Sequence, residues 1–379
     1  MKYVIIRCED YAPGRQDTAA LLEGAKTSHL QQLAQAGAAG LVHRRADDPL
    51  IDRFECHRAF FGLEPGDLEA APARCYAEEM RVQLAPSETA WCCEFVTHQD
   101  GTIIDPVAGH IPTKESEVLV RALNSQLGSE TRRWEIGSGS HHLLVVSDAS
   151  LDVDDKARPQ APELLVGREW VQSLPKGSLR EPLQRVIEEA STVLESQTVN
   201  RVRVDLGENP ANMLWLWGAA HGQSQRTLTE RTGLTGALLS NNFPMRGFAS
   251  CLGLDWNSGA RTFEERALQQ LMKGVAALVE RRDLVYVHLR IESADPVDRL
   301  CAMERIDQML LKPLTALLPR RDAWRLLVAI DDRRTGSVPF VAIGTGLPAR
   351  PVTHVDAATL AQSGQPFEDA RGLFSWFIT

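Results

Sequence analysis

The sequence lacks several features that would each have identified a class of protein. Its seven cysteines are scattered and form no C-x-x-C pair, which argues against both a zinc ribbon and a disulfide framework. It has no apolar run long enough to cross a membrane, and the apolar run at residues 3–6 is too short for a signal segment. We therefore expect a protein of the reducing cytoplasm with no membrane partner.

The chain also lacks an excess of basic residues. It has 41 Lys and Arg against 50 Asp and Glu, a formal net charge of -9. Binding to nucleic-acid phosphates needs clustered Lys and Arg, so no nucleic-acid partner is expected, whereas a local basic pocket would still hold a small anion. Phosphate-loop, G-x-S-x-G and H-E-x-x-H patterns are missing as well.

What the sequence does contain is an alternation of apolar runs and helical patterns. Residues 181–197, 263–282 and 298–318 carry apolar stripes at helical spacing. Unbroken apolar runs are typical of strands covered on both faces, as in parallel sheets. These runs occupy residues 3–6, 143–146, 213–217, 284–289, 326–330 and 340–343. The alternation predicts an α/β fold with a doubly wound sheet.

The middle of the chain has a different character. Residues 66–180 are richer in Pro, Gly and charge, and Gln99-Asp100-Gly101 predicts the turn of a hairpin. We therefore predict an inserted α+β domain at residues 66–190. The main domain would be built from residues 1–65 and 191–379.

Acidic pairs follow two of the predicted strands, Glu9-Asp10 after the first and Asp331-Asp332 after a later one. Ligands of open α/β sheets bind at the carboxyl ends of the strands. Four carboxylates there would hold one Mg²⁺ or Mn²⁺. The alternative is that they are solvated charges at strand ends, so the expected cofactor is either none or one such ion.

Five segments, in order along nearly the whole chain, carry a family resemblance. They are "LLEGAKTSHLQQLAQAGAAGLV" (21–42), "AWCCEFVTHQDGTIIDPVAGHI" (90–111), "VNRVRVDLGENPANMLWLWGAAHG" (199–222), "MERIDQMLLKPL" (303–314) and "SVPFVAIGTG" (337–346). They resemble the archaeal-type cofactor-independent phosphoglycerate mutases of the alkaline-phosphatase superfamily. The resemblance implies an alkaline-phosphatase-like doubly wound sheet with an inserted cap domain. It also implies a glycolysis-related reaction that uses a Ser nucleophile and two divalent metals held by Asp and His.

The resemblance fails at the positions that would carry this chemistry. The position of the nucleophile falls on Arg53, and a guanidinium cannot be deprotonated to accept a phosphoryl group. The loop at 291–300 contains none of the implied metal-binding His, and Asp332 stands where another would be. The first implied metal ligand would have to be Glu9 or Asp10. The sequence therefore indicates a pseudoenzyme.

Several polar residues remain where the resemblance implies ligand contacts. Glu94 replaces an Asn of the family, and its charge would repel an anion unless it is paired. His288 and the two tryptophans of residues 213–217 are interpreted as core residues. For Arg53, His57 and Arg58 the alternative is an ordinary surface charge, and for Arg246 it is the cap of a helix. The candidate ligand-binding residues are Arg53, His57, Arg58, Asp105, His110, His141, His142 and Arg246.

Three functions are compatible with these observations. The first is a mutase-like protein without mutase catalysis that binds a small anion and acts as a binding, regulatory or assembly subunit beside a protein partner or paralogue. The second is a divergent enzyme that uses a metal to transfer phosphoryl groups on a small phosphorylated metabolite, as a mutase or like a homoserine kinase. The third is an intact mutase with shifted ligands. Assembly into a homo-oligomer is compatible with each.

Overall fold

A computed structural model describes residues 1–11, 22, 24–43, 55–63, 70–148, 151, 159–222, 226–293, 295–332, 337–364 and 367–379. The chain divides into two units. The first consists of Met1–Asp48, Arg58–Glu64 and Arg226–Thr379, and the second of Pro49–His57 and Pro65–Gln225. The second unit is therefore an insertion into the first along the chain.

The described residues form twelve strands in two sheets. The strands are β1 Lys2–Tyr11, β2 Ala38–His43, β3 Thr89–Gln99, β4 Thr102–Asp105, β5 Arg132–Ser138, β6 His141–Val146, β7 Met213–His221, β8 Gly236–Leu239, β9 Asp255–Asn257, β10 Leu284–Glu292, β11 Trp324–Asp332 and β12 Ser337–Gly344.

The first unit is built on a seven-stranded sheet in the order β2-β12-β11-β1-β10-β8-β9. Strands β11, β1, β10, β8 and β9 run parallel, whereas β12 and β2 are antiparallel to their neighbours. The central strands are almost entirely buried. This agrees with their unbroken apolar sequences, because a sheet covered by helices on both faces offers no solvated side. The predicted α/β class is confirmed.

Amphipathic helices cover this sheet. The predicted stripe at 263–282 corresponds to the helix Glu265–Arg281, and the stripe at 298–318 begins in Pro296–Ile306. The remaining helices of this unit are Ser28–Ala36, Leu228–Thr232, Met245–Cys251, Lys312–Leu317, Ala357–Ala361 and Ala370–Ile378, with a π turn at Asp307–Leu311 and a 3₁₀ turn at Leu318–Arg320. The short helix Glu55–Ala59 lies where the chain passes from one unit to the other.

The second unit is built on a five-stranded sheet in which every pairing is antiparallel. Its order is β4-β3-β6-β5, with β7 paired to the long strand β3. The predicted hairpin turn is confirmed, since Asp100 and Gly101 have φ of 48° and 80° between β3 and β4. The helices are Pro72–Met80, Thr113–Leu127, Arg180–Glu195 and Thr198–Asp205, with 3₁₀ turns at Ala108–His110 and Pro162–Leu164.

Three predicted strands differ from the expected parallel arrangement. The runs at 143–146 and 213–217 lie in β6 and β7 of the antiparallel sheet, and the run at 340–343 lies in the antiparallel strand β12. An apolar run indicates that both faces of a strand are covered, and this is true of these three strands. It does not indicate whether a strand runs parallel or antiparallel to its neighbours. Trp215 and Trp217 are buried in β7, as predicted.

The second unit also extends beyond the expected boundary at residue 190. It continues to Gln225 because β7 hydrogen-bonds to β3. The helix Thr198–Asp205 belongs to it as well, where the buried Asn200 amide donates to the carbonyls of Leu194 and Ala211 at 2.9 and 2.8 Å. Among the described residues, no helix is both long and apolar enough to cross a membrane.

Candidate functional site

A buried acid–imidazole pair lies at the carboxyl ends of two central strands. Strands β1 and β10 run parallel with Arg7 beside His288, and Glu9 follows two residues later on the same face of β1. His288 Nε2 lies 3.0 Å from Glu9 Oε2, and both side chains are almost fully buried, at 2% and 1% exposure. A buried carboxylate is costly unless it is paired or bound to a metal, so this contact is central to the site.

The other imidazole nitrogen of His288 is held by a serine. Ser240 immediately follows β8, the next strand of the sheet, and its Oγ lies 3.1 Å from His288 Nδ1. The backbone N–H of Asn242 donates to the same Oγ at 3.1 Å. Both ring nitrogens therefore have polar neighbours, and the ring is oriented from two sides. Protonation at Nε2 would let the ring donate to Glu9 and accept from the Ser240 hydroxyl.

His57, a ligand contact proposed from the sequence, belongs to the second unit, and it is 2% exposed.

The chain that follows His57 is anchored in the first unit. The helix Glu55–Ala59 leads into Phe61, whose ring packs against Tyr286 of β10 and Phe248 at centroid distances of 5.0 and 5.7 Å. Arg231 donates to the Phe61 carbonyl at 3.2 Å.

Within the first unit, the buried pair offers one carboxylate oxygen and one imidazole nitrogen as ligand atoms. Imidazole suits zinc and related transition ions, whereas Mg²⁺ prefers oxygen ligands. The neighbouring Cys8 lies on the opposite face of β1 from Glu9, and burial raises the pKa of its thiol to about 12 despite the opposing effect of Arg7.

The other carboxylates proposed from the sequence are placed by their backbone only. In the register of β1 and β11, Glu9 lies beside Asp331 and Asp10 beside Asp332, so the two acidic pairs do lie at neighbouring strand ends. The side chains of Asp10, Asp331 and Asp332 lie outside the described part of the structure, as does all of Arg53.

Two other proposed basic residues lie in the first unit. Arg58, next to His57, is 1% exposed and is therefore not an ordinary surface charge. Arg246 is partly buried in the first turn of the helix Met245–Cys251, where basic residues are not favoured by the helix dipole. The alternative interpretation of surface charges is wrong for His57 as well, since it is 2% exposed.

In the second unit, His141 is occupied by an acidic neighbour. Its Nδ1 lies 2.6 Å from Glu94 Oε2, and the hydroxyl of Tyr76 donates to Glu94 Oε1 at 2.6 Å. Glu94 is 1% exposed. The negative charge that replaces the Asn of the family is thus paired within the fold, and His141 serves as its partner.

His142, the adjacent histidine, points to the opposite side of β6 and is fully buried. Its Nδ1 accepts from the Gly137 N–H at 3.0 Å, and its ring packs on Phe95 at 4.6 Å. Burial lowers the pKa of His142 to about 3, although the nearby Glu94 carboxylate acts in the opposite direction. A neutral, buried imidazole cannot serve as a cation for an anionic ligand, so this proposed role of His142 is not supported by its environment.

Asp105 and His110 lie at a turn that follows β4. Asp105 accepts from the N–H groups of Val107 and Gly109 at 2.9 and 2.8 Å and from the Asn209 amide at 2.7 Å. Burial by itself would raise the pKa of Asp105, but these hydrogen bonds lower it overall. Asp105 therefore stabilises the turn, while His110 is exposed with a φ of 52°.

Ser240 was not identified from the sequence, and His288 was interpreted as a core residue. His288 is indeed buried, but its polar neighbours place it in the site. A signal was present, because a His inside an apolar strand needs polar partners. Those partners are on β1 and after β8, and the order of the strands in the sheet cannot be read along the chain.

The comparisons with known proteins agree on one family. A sequence model described as "2,3-bisphosphoglycerate-independent phosphoglycerate mutase" matches residues 34–200. The mutase of that name from Methanosarcina acetivorans is 27% identical over 347 residues, covering 88% of this chain and 86% of the relative. The one from Methanothrix thermoacetophila is 27% identical over 398 aligned positions, covering 100% of both chains.

A solved structure shows the same fold. The cofactor-independent phosphoglycerate mutase from Thermoplasma acidophilum superposes with a TM-score of 0.58 at 21% identity and covers 100% of both chains. The predicted α/β fold is thus confirmed, and it is shared with a cofactor-independent phosphoglycerate mutase. The chain is thus similar to 2,3-bisphosphoglycerate-independent phosphoglycerate mutases along its whole length, in agreement with the resemblance of its sequence motifs.

Proposed function

We propose that this mutase-like protein does not catalyse the mutase reaction and acts instead as a binding, regulatory or assembly subunit that recognises a small anionic metabolite. The observation that carries the proposal is Arg53 at the position of the nucleophile, in a chain that otherwise follows its relatives. A permanently charged guanidinium neither attacks phosphorus nor leaves as a phosphoryl carrier.

The metal chemistry supports the same proposal. Transfer between two hydroxyls through a Ser requires metal ions to activate the nucleophile and to neutralise the transferring group. In the described part of the first unit, Glu9 is paired with His288, with 3.0 Å between Oε2 and Nε2. His141, another candidate, is paired with Glu94.

The test is an assay of the purified protein with 3-phosphoglycerate and Mn²⁺. We expect no 2-phosphoglycerate above a metal-stripped control, while the Methanosarcina acetivorans relative assayed in parallel supplies the positive control. Product formation by this chain would contradict the proposal. The variant Arg53→Ser should also remain inactive, because it restores a hydroxyl without restoring the missing histidines.

The binding half of the proposal needs its own measurement. Calorimetric titration with 3-phosphoglycerate, and with inorganic phosphate as a simpler anion, should show saturable binding in the absence of turnover. Failure of both anions to bind would leave only an assembly role, in which the protein partner or paralogue is sought by co-purification. Light scattering would show whether the chain forms a homo-oligomer. The cytoplasmic setting expected from the cysteines also remains a prediction.

A second candidate is favoured by the buried pair of Glu9 and His288 at the carboxyl ends of β1 and β10. It is a divergent metal-dependent enzyme that transfers or hydrolyses phosphoryl groups on a small phosphorylated metabolite, as a mutase or like a homoserine kinase. Hydrolysis of p-nitrophenyl phosphate with added Zn²⁺ or Mn²⁺, lost in Glu9→Gln, would favour this enzyme over the binding protein. No metal-dependent release of nitrophenol would remove its support.

A further inference from the structure

We infer that a cavity beside the start of the helix Ser28–Ala36 binds a small hydroxy acid through its carboxylate and its hydroxyl group. The cavity has a volume of about 430 Å³, which is within the range usual for small-molecule sites. Every residue that lines it belongs to the first unit. None of the lining residues is among those proposed above for ligand contact or metal binding, so the inference goes beyond the proposed function and does not rest on it.

The first argument is a largely buried hydroxyl that the helix does not use. Thr27 is the N-cap residue, where a hydroxyl usually accepts from the N–H group two or three residues later. Here the carboxylate of Asp307 accepts from the N–H groups of His29 and Leu30, at 3.1 and 2.8 Å. Thr27 is 9% exposed and lines the cavity, and its side chain makes no capping hydrogen bond. A hydroxyl released in this way can both donate to a ligand and accept from it.

The second argument is an exposed ammonium group next to this hydroxyl. Lys26 lines the same cavity, and no acidic side chain pairs with its ammonium among the residues that the structure describes. Since the charge and the hydroxyl belong to adjacent residues, one molecule with a carboxylate beside a hydroxyl group can reach both. Leu22 and Ala25, which are buried, give the cavity an apolar part for the carbon atoms of such a molecule.

The third argument concerns the acidic groups nearby, which select a ligand with one negative charge. Asp356 lines the cavity and accepts from the N–H and the hydroxyl of Thr359 at 2.7 and 2.9 Å. These hydrogen bonds, together with the nearby His354, lower the pKa of Asp356. Glu304 and Asp307 accept from N–H groups near the start of the helix. All three carboxylates are engaged by donors and do not require a cation, but their charges disfavour a dianion such as a phosphate ester.

The walls of the cavity are also held together before any ligand binds. The side-chain amide of Gln31, in the helix, donates to the Thr353 carbonyl at 2.5 Å and accepts from the Val355 N–H at 3.0 Å. This pair of hydrogen bonds fixes the segment that carries Val355 and Asp356 against the helix. A site with fixed walls loses little conformational entropy when a ligand enters, which favours the binding of a small molecule.

Binding can be tested on the full chain with lactate as the hydroxy acid. Propionate, which lacks only the hydroxyl group, and inorganic phosphate serve as comparison ligands. In assigned amide spectra of the labelled protein, lactate should cause saturable shifts centred on residues 26–31 and 353–356. We expect propionate and phosphate to bind at least about tenfold more weakly, because each lacks one of the two matches. No saturable shifts there with lactate, or equal affinity for lactate and propionate, would overturn the inference.

Variants then assign the two groups. Lys26→Met and Thr27→Val should each weaken lactate binding by about tenfold or more. The matched control is Lys273→Met, which removes an exposed ammonium group elsewhere in the same unit and should leave the affinity unchanged. Unchanged lactate binding in folded Lys26→Met or Thr27→Val would refute the site.

The Thr27→Val variant has two further readouts that separate a ligand contact from a structural role. It should unfold at the same urea concentration as the parent, because Asp307 caps the helix in place of Thr27. It should also bind propionate as the parent does, since propionate has no hydroxyl to lose. A lower urea midpoint would contradict the inference by showing that the Thr27 hydroxyl stabilises the helix. These results are independent of whether the chain binds or converts 3-phosphoglycerate.

Discussion

Burial sets the protonation state of His142, which sits in β6 with its ring against Phe95. Burial lowers its pKa in the folded protein from 6.5 to about 3. When the pH falls from 6.5 toward 3, the unfolded chain therefore takes up a proton that the folded chain does not. The contribution of His142 to the free energy of unfolding is therefore fully present above pH 6.5. It decreases as the pH falls from 6.5 toward 3.

The variant His142→Gln should make the protein less sensitive to acid. Each unit of pKa shift corresponds to about 1.4 kcal/mol. Protonation linked to His142 should therefore lower the free energy of unfolding of the parent protein by about 2 kcal/mol between pH 7 and pH 5. Gln can still accept a hydrogen bond from Gly137 but does not titrate. Urea unfolding of both proteins at pH 7 and pH 5 measures the difference.

The control for this experiment is His354→Gln, because His354 is exposed. It should leave the pH dependence of the parent protein unchanged. If the parent and His142→Gln lose the same stability between pH 7 and pH 5, then His142 is not the buried neutral group described here.

At the scale of secondary structure, one carboxylate joins two elements that are far apart in the sequence. Asp307, fully buried at the start of the π turn, accepts from the Leu30 N–H at 2.8 Å and the His29 N–H at 3.1 Å. These N–H groups belong to the first turn of the helix Ser28–Ala36, where no partner exists within the helix. Glu304 accepts in the same way from the Lys26 N–H at 2.9 Å.

Replacement of Asp307 by Ala should lower the free energy of unfolding by at least about 3 kcal/mol. Each hydrogen bond to a charged group contributes about 1.5–3 kcal/mol, and the N–H groups would remain buried without an acceptor. Asp307→Asn keeps one acceptor oxygen and should cost less. Chemical denaturation monitored by circular dichroism gives the comparison.

The exposed Asp322 supplies the matched control. Asp322→Ala removes the same functional group from the surface of the same unit and should change stability by less than about 0.5 kcal/mol. Equal effects of the two Ala variants would contradict the capping role of Asp307.

At the scale of the whole molecule, the chain combines two sheets of different type. The first is mostly parallel and draws its strands from both ends of the chain, whereas the second is antiparallel and is formed by residues between 89 and 221. Every strand pairing of the second sheet is therefore made within one continuous segment.

A fragment of residues 65–225 should therefore fold by itself. It contains all five strands, the four helices of the second unit and a core that includes Trp91, Trp215 and Trp217. A domain of this size with its own core is expected to unfold cooperatively. Thermal unfolding followed by circular dichroism and dispersed amide resonances would show it.

The control fragment carries Leu144→Asp, which places a charge in the fully buried strand β6. It should fail to show a cooperative transition, because an unpaired buried charge is not tolerated. A parent fragment that is as unstructured as this control would show that the second unit is not autonomous.

The sequence predicted local structure well where buried residues recur at a regular spacing along the chain. The apolar stripe of residues 181–197 became the helix Arg180–Glu195 with Leu183, Val186 and Ile187 on its buried face. The hairpin at Asp100-Gly101 followed from the need for positive φ at both positions. The boundary at residue 190 did not follow from any local signal, because pairing of β7 with β3 joins strands more than 100 residues apart.

The amino-acid sequence by itself determined the elements, the family resemblance and the loss of the hydroxyl at Arg53, because periodicity, motif order and residue chemistry are all local properties. Only the tertiary structure decided that Glu9 and His288 meet beside Ser240, while His141 and His142 serve the interior of the second unit. The reason is that a site at the edge of a parallel sheet is made by strands from distant parts of the chain. Their order depends on packing of the whole unit rather than on any segment of it.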